Sequence, residues 1–154
     1  MKTILITMLI FSLGCIKKTQ MDNASVAASP TDVVKTFVEL SATSKTAEDK
    51  KKLLVSCGGE LKRAFERMSD EEFKLIYLSG QLRVEKLEII KTDIQNDSAL
   101  IHYRVIVENN QGTETTKETN EREVQLKKTD SGWVIDAIRL KGTDQLAFTR
   151  GMMF

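Results

Sequence analysis

The chain reads as an α+β domain: helices come first, then a four-stranded antiparallel sheet, with the helices packed over one sheet face. Two observations predict this. From Ser29 to Tyr77 the apolar residues recur at helical spacing, and most of these stretches open on a capping signature. From Leu82 onward the period falls to two, in stretches separated by turn residues.

Ser29-Pro30-Thr31-Asp32 starts the first helix. Ser29 can cap, Pro30 suits the first helical position, and Asp32 completes the box at the positive helix end. Val33, Val34, Phe37, Val38 and Ser41 then share one face. Thr46-Ala47-Glu48-Asp49 starts a second helix in the same way. It turns Leu53, Leu54 and Cys57 inward and Lys50, Lys51 and Lys52 largely outward, and Gly58-Gly59 stops it. Leu61, Phe65 and Met68 define a short third helix. Ser69-Asp70-Glu71-Glu72 is a further capping box leading into Phe73, Ile76 and Tyr77, with Gly80 as the stop.

In the second half, Leu82 and Val84 alternate, then Leu87 and Ile89 alternate in the opposite phase; a bulge near Glu85-Lys86 reconciles them. Asn96-Asp97 makes a turn. Ala99, Ile101, Tyr103, Val105 and Val107 form the second strand, and Asn109 to Asn120 reads as a polar loop or hairpin tip. Val124 and Leu126 mark the third strand. After the turn Asp130-Ser131-Gly132, Trp133 to Leu140 is the fourth, with Trp133, Ile135 and Ala137 expected on its buried face. Phe148 and Met152-Met153-Phe154 predict some docking of the tail.

The chain has 154 residues, 41% hydrophobic and 29% charged, enough for one packed core without disulfides. Lys and Arg total 23 against 22 Asp and Glu; removal of residues 1–14 takes away Lys2 alone and leaves 22 of each. That balance argues against a nucleic-acid partner, which needs a basic surplus. One His and two Cys are too few for a four-ligand zinc site. Gly58-Gly59 lacks the following Lys-Ser/Thr of a phosphate loop. No cofactor is expected.

Lys2 followed by the apolar run Ile4 to Phe11, interrupted by Thr7, has the form of a secretory leader, and the run is too short to span a bilayer. Ser12-Leu13-Gly14-Cys15 resembles the lipobox of bacterial lipoproteins, although Leu13 stands one place later than that family usually has its leucine. The resemblance implies a signal peptide over 1–14, lipidation of Cys15, and an acylated tether over 15–28 that holds a domain at 29–154 to a membrane. An ordinary cleavage after Ala28 lies far beyond Phe11. Ile16, rather than Asp, after the cysteine implies the periplasmic side of an outer membrane.

Ser-Pro-Thr-Asp-Val-Val-Lys-Thr-Phe-Val-Glu-Leu (29–40) and Lys-Lys-Thr-Asp-Ser-Gly-Trp-Val-Ile-Asp (127–136) are similar to the first helix and last strand of small bacterial lipoproteins with a nuclear transport factor 2-like cone fold. The similarity spans residues 29–141 and implies a curved sheet wrapped on its helices. Cystatin-like and other helix-on-sheet folds share the same element order.

The cone fold hosts both enzymes and binding domains, so function must come from the site. His102 and Arg104 share a strand face with Glu108, and Asp136 lies on the last strand. A catalytic reading makes His102 or Asp136 the base and Arg104 an anion clamp; the plainer one places all three on an open sheet face among ordinary cross-strand charge pairs. The second is favoured, and the three are carried as ligand-binding candidates. Cys57, at a helix end, is expected to be a buried apolar residue. The function expected is non-enzymatic binding of a small ligand or an envelope protein; the rivals are a cone-fold enzyme for a small hydrophobic substrate and a subunit that dimerises through its sheet.

Overall fold

A computed structural model describes residues 28–78, 82–109 and 115–154; the leader, Cys15, nearly all of the tether and Gly80 lie outside them. Ser29 caps α1 (Pro30–Thr43). Its Oγ accepts from the Asp32 main-chain N–H at 3.2 Å, and the Asp32 carboxylate accepts from the Ser29 N–H at 3.3 Å. The Ser29 hydroxyl, donating to the same carboxylate at 2.6 Å, and then the Ser29 N–H hold the Asp32 carboxyl below its usual range. The helix buries Val34, Phe37 and Val38.

The expected start at Thr46 forms a turn instead. The Asp49 carboxylate gathers the Lys45 and Thr46 N–H groups at 3.0 and 3.1 Å, together with the Thr46 hydroxyl, so α2 (Asp49–Val55) begins only at Asp49. α3 (Gly59–Arg67) buries Leu61 and Phe65. The second capping box forms at Ser69 and starts α4 (Asp70–Glu72), which widens into a π-helical turn over Phe73–Tyr77. The Phe73 and Tyr77 rings stack at 4.7 Å, and Phe65 meets Tyr77 edge-on at 5.3 Å.

The sheet is an antiparallel meander in the order β1 (Leu82–Gln95), β2 (Ser98–Asn109), β3 (Thr116–Thr129), β4 (Gly132–Leu140). The helices lie on one face, so the α+β expectation holds. The hairpin between β1 and β2 places Asn96 at φ 52°, a left-handed position that Asn tolerates. The expected bulge falls at Glu85, and a second at Ile90. β3 begins at Thr116, inside the segment expected as loop, with Asn109 opposite Thr116. Its first half is polar on both faces, so no alternation marks it; pairing with β2 and ion pairs from Lys117 hold it instead.

The single inward face expected for β4 breaks at Asp136. Leu126 pairs with Ile135, yet Gln125 pairs with Ala137, so Asp136 is an extra residue and the phase changes there. Ile135 and Ile138 both enter the core, Ala137 is buried as expected but lies opposite Gln125 and outside the core cluster, and Trp133 is only half-buried against the core edge.

The free edge of β4 is covered twice. Gly58 N–H donates to Ile135 O at 2.7 Å and Ile135 N–H to Ser56 O at 2.8 Å; farther along, Ala147 N–H donates to Ile138 O at 2.7 Å. β1 carries two bulges and the charged residues Lys86, Glu88, Lys91 and Asp93, features that discourage edge-to-edge pairing.

Candidate functional site

β2 alternates, so Leu100, His102, Arg104, Ile106 and Glu108 face away from the helices. Register then fixes their neighbours: His102 lies between Lys91 and Glu123, and Arg104 between Glu88 and Glu121. Arg104 Nε and Nη2 both donate to Glu121 Oε1, at 3.1 and 2.7 Å, while Lys141 Nζ donates to Glu121 Oε2 at 2.5 Å. The Lys141 bond first, then the Arg104 bond, brings the Glu121 carboxyl down to about 2. Lys117 Nζ lies 2.8 Å from Glu85 and 3.5 Å from Glu108. This half of the face consumes its charges in pairs.

The other half does not. Asp93, Leu100, Gln125 and Asp136 border a cavity of about 370 Å³. An adjoining hollow of about 170 Å³ shares Asp93 and Leu100 and adds Lys91, His102 and Glu123. Lys127 Nζ approaches Asp136 Oδ2 at 3.8 Å. His102 Nε2 is buried, has no hydrogen-bond partner, and stands 3.6 Å from Glu121 Oε2. The Asp136 side chain packs on α3: a Cβ at Gly59, where φ is 41°, would lie 1.8 Å from its Oδ1. His102 and Asp136 therefore border neighbouring hollows, whereas Arg104 lines neither. The three do not converge in a closed pocket.

The space between the helices and the inner sheet face is filled by the chain itself. Within residues 143–154, Ala147, Met153 and Phe154 are each 1% exposed or less. Polar side chains on the inner face hold this strap by its main-chain oxygens. Tyr103 Oη donates to Met153 O at 2.7 Å, Asn120 Nδ2 to Phe154 O at 3.2 Å, and Arg122 to Met152 O at 2.5 Å and Phe154 O at 2.8 Å. α5 (Arg150–Met153) adds a bond from Arg150 to Ser44 O, with the guanidinium 5.6 Å from the Tyr77 ring centre. Tyr77 Oη and Ser41 Oγ share a buried hydrogen bond. Burial raises the Tyr77 and Tyr103 hydroxyls well above the usual phenol range and lowers both guanidiniums.

Sequence reading missed Arg122, although the alternation that turns Val124 and Leu126 inward also turns Arg122 inward. Asp93 and Gln125 were missed because their meeting depends on strand register. Cys57 is buried as expected; its thiol donates to Leu53 O at 3.1 Å, and burial pushes it up to about 12. No helix among the described residues is long and apolar enough to cross a membrane.

No protein-family profile matches the chain, and no curated protein matches its sequence. Solved structures do. The intermembrane-space region of the chloroplast protein ARC6 aligns at 13% identity over 70% of this chain and 90% of that one, with a TM-score of 0.53. A SEC-C motif-containing protein from Rhodopseudomonas palustris aligns at 10% identity over 73% and 78%, with a TM-score of 0.54. An NTF-2 like protein of unknown function from Shewanella oneidensis MR-1 aligns at 16% identity over 71% and 97%, with a TM-score of 0.43. At these identities the first two likenesses are ones of fold.

Proposed function

We propose that this protein is a lipid-anchored envelope protein whose cone-fold domain is a non-enzymatic binding module, and that it binds through the outer sheet face. One observation carries the choice of surface: Ala147, Met153 and Phe154 fill the interior, whose Tyr103 and Arg122 bond the main chain there, while a cavity of about 370 Å³ lies outside, around Leu100. A catalytic centre needs a nucleophile or base positioned against stabilising groups in a site that excludes water. Arg104 is spent on Glu121, and His102 and Asp136 border adjoining hollows rather than one closed pocket. The anchor rests on Gly14-Cys15 after the apolar run.

Two experiments test this reading. Thermal-shift screening of the full chain against metabolite classes should find ligands that stabilise the native protein and fail on Leu100→Arg, since Leu100 is 45% exposed and its replacement leaves the core intact. Ligands acting equally on both proteins would contradict the surface assigned. Metabolic labelling with a fatty-acid analogue should mark the native chain; label persisting on Cys15→Ser would refute the anchor.

A further inference from the structure

We infer that the second half of β1 is a self-association edge, along which two copies of this chain join antiparallel over residues 90–94 into one continuous sheet. The partner is a second copy, and the outer sheet face of each copy stays open to a ligand. β4, the opposite edge strand, is closed by main-chain bonds with Ser56, Gly58 and Ala147. No main-chain bond from outside the sheet reaches β1 among the described residues. Its bulges fall at Glu85 and Ile90, and from Lys91 to Gln95 its register with β2 is unbroken. Leu82, Val84, Leu87 and Ile89 pack against the core, whereas every residue over 90–95 is exposed. Ile90 and Ile94, at 44% and 53% exposed, are large apolar side chains on this uncovered stretch.

The sequence of the edge selects its partner. Residues 90–94 read Ile-Lys-Thr-Asp-Ile, symmetric in kind about Thr92. Two copies related by a twofold axis normal to the sheet run antiparallel and keep their helices on one side, so residues set opposite each other share a face. Centred on Thr92, the pairing puts Ile90 against Ile94 of the second copy, Lys91 against its Asp93, and Thr92 against its own counterpart; the contacts then repeat in reverse order. Thr92 and Ile94, opposite the buried Ile101 and Ala99, lie on the helix side, and Lys91 and Asp93 on the outer side. Neither Lys91 nor Asp93 has a hydrogen bond or ion pair among the described residues, so both are free to pair across the seam. Charges on an edge strand ward off other strands. Here they also fix the register. A pairing centred on Lys91 or on Asp93 sets like charges opposite each other, and the one centred on Thr92 between them opposes unlike charges.

Sedimentation velocity of the full chain from about 1 µM to about 1 mM tests the assignment. A seam this short lies at the small end of specific interfaces, so a reversible shift from monomer to dimer is expected across that range. Lys91→Asp sets carboxylate against carboxylate at two symmetric places and should weaken association about tenfold; Asp93→Lys should do the same with ammoniums. The double exchange Lys91→Asp/Asp93→Lys restores unlike pairs and should return the affinity to within about threefold of the native value. Both side chains are exposed and unpaired, so folding is not at stake in these variants. A chain that stays monomeric to about 1 mM, single exchanges that leave association unchanged, or a double exchange that does not restore it would each overturn the β1 seam.

Discussion

Replacing Arg122 with methionine tests how the strap is held. The native guanidinium donates to Met152 O at 2.5 Å, Glu121 O at 2.9 Å and Phe154 O at 2.8 Å. Methionine fills similar space but donates nothing. Phe154 O keeps Asn120 as a donor, and Glu121 O keeps the Lys141 N–H at 3.5 Å. Met152 O alone loses its side-chain donor outright, and a buried carbonyl left unsatisfied costs about 1–3 kcal/mol. Burying an apolar side chain in place of a charged one offsets part of the lost bonds to the other two oxygens. The expected net loss is about 1–3 kcal/mol. Urea unfolding at neutral pH measures it, and Arg122→Lys should fall between the two because an ammonium lacks the planar fork. If Arg122→Met unfolds within about 0.5 kcal/mol of the native chain, Arg122 does not anchor the strap.

Three further outcomes follow from the same contacts. Phe154→Ala should lose about 3–5 kcal/mol in the same urea series, because the ring is 1% exposed and its removal leaves a cavity; a loss under 1 kcal/mol would place that ring outside the core. Gly59→Ala should destabilise, since its φ is 41° and the new Cβ meets Asp136, and adding Asp136→Ala should recover part of the loss; additive losses in that double-mutant cycle would show that the two residues do not touch. Glu121 contributes to acid stability: its folded carboxyl is brought down to about 2 from its ordinary 4.5, so its contribution is complete above about pH 4.5 and disappears as pH falls toward 2. The stability gap between the native chain and Glu121→Gln should therefore be constant above pH 5 and shrink through that window; a gap independent of pH would contradict the ion-pair network.

What the sequence could reveal followed from local periodicity. The boxes at Ser29 and Ser69 act within four residues, and both form as read. The phase change at Glu85 showed because alternating apolar residues flank it, Leu82 and Val84 before and Leu87 and Ile89 after. At Asp136 the phase change was hidden: Trp133, Val134, Ile135, Ala137, Ile138 and Leu140 offer apolar residues in both phases, so either face could be drawn as buried. The true strand uses one phase before the bulge and the other after it. The early part of β3 was illegible for the opposite reason, having no apolar residue in either phase. Asp93 and Gln125 meet only through the register of two hairpins, which no local spacing encodes. The strap's hydrophobic residues marked it for docking, but the oxygens it would offer to Tyr103, Asn120 and Arg122 carry no sequence signal.

The proposal that binding belongs to the outer sheet face depends on the C-terminal segment staying packed between the helices and the sheet. Native-state hydrogen exchange of the full chain, resolved over residues 147–154, tests it most directly. The Ala147 N–H bonded to Ile138 O and the Met153 and Phe154 N–H groups bonded within α5 should be protected nearly as well as those of β2 and β3, which line the same core. Exchange in the strap orders of magnitude faster than in those strands would mean that the segment unpacks on its own, and would return the interior to contention as the binding site.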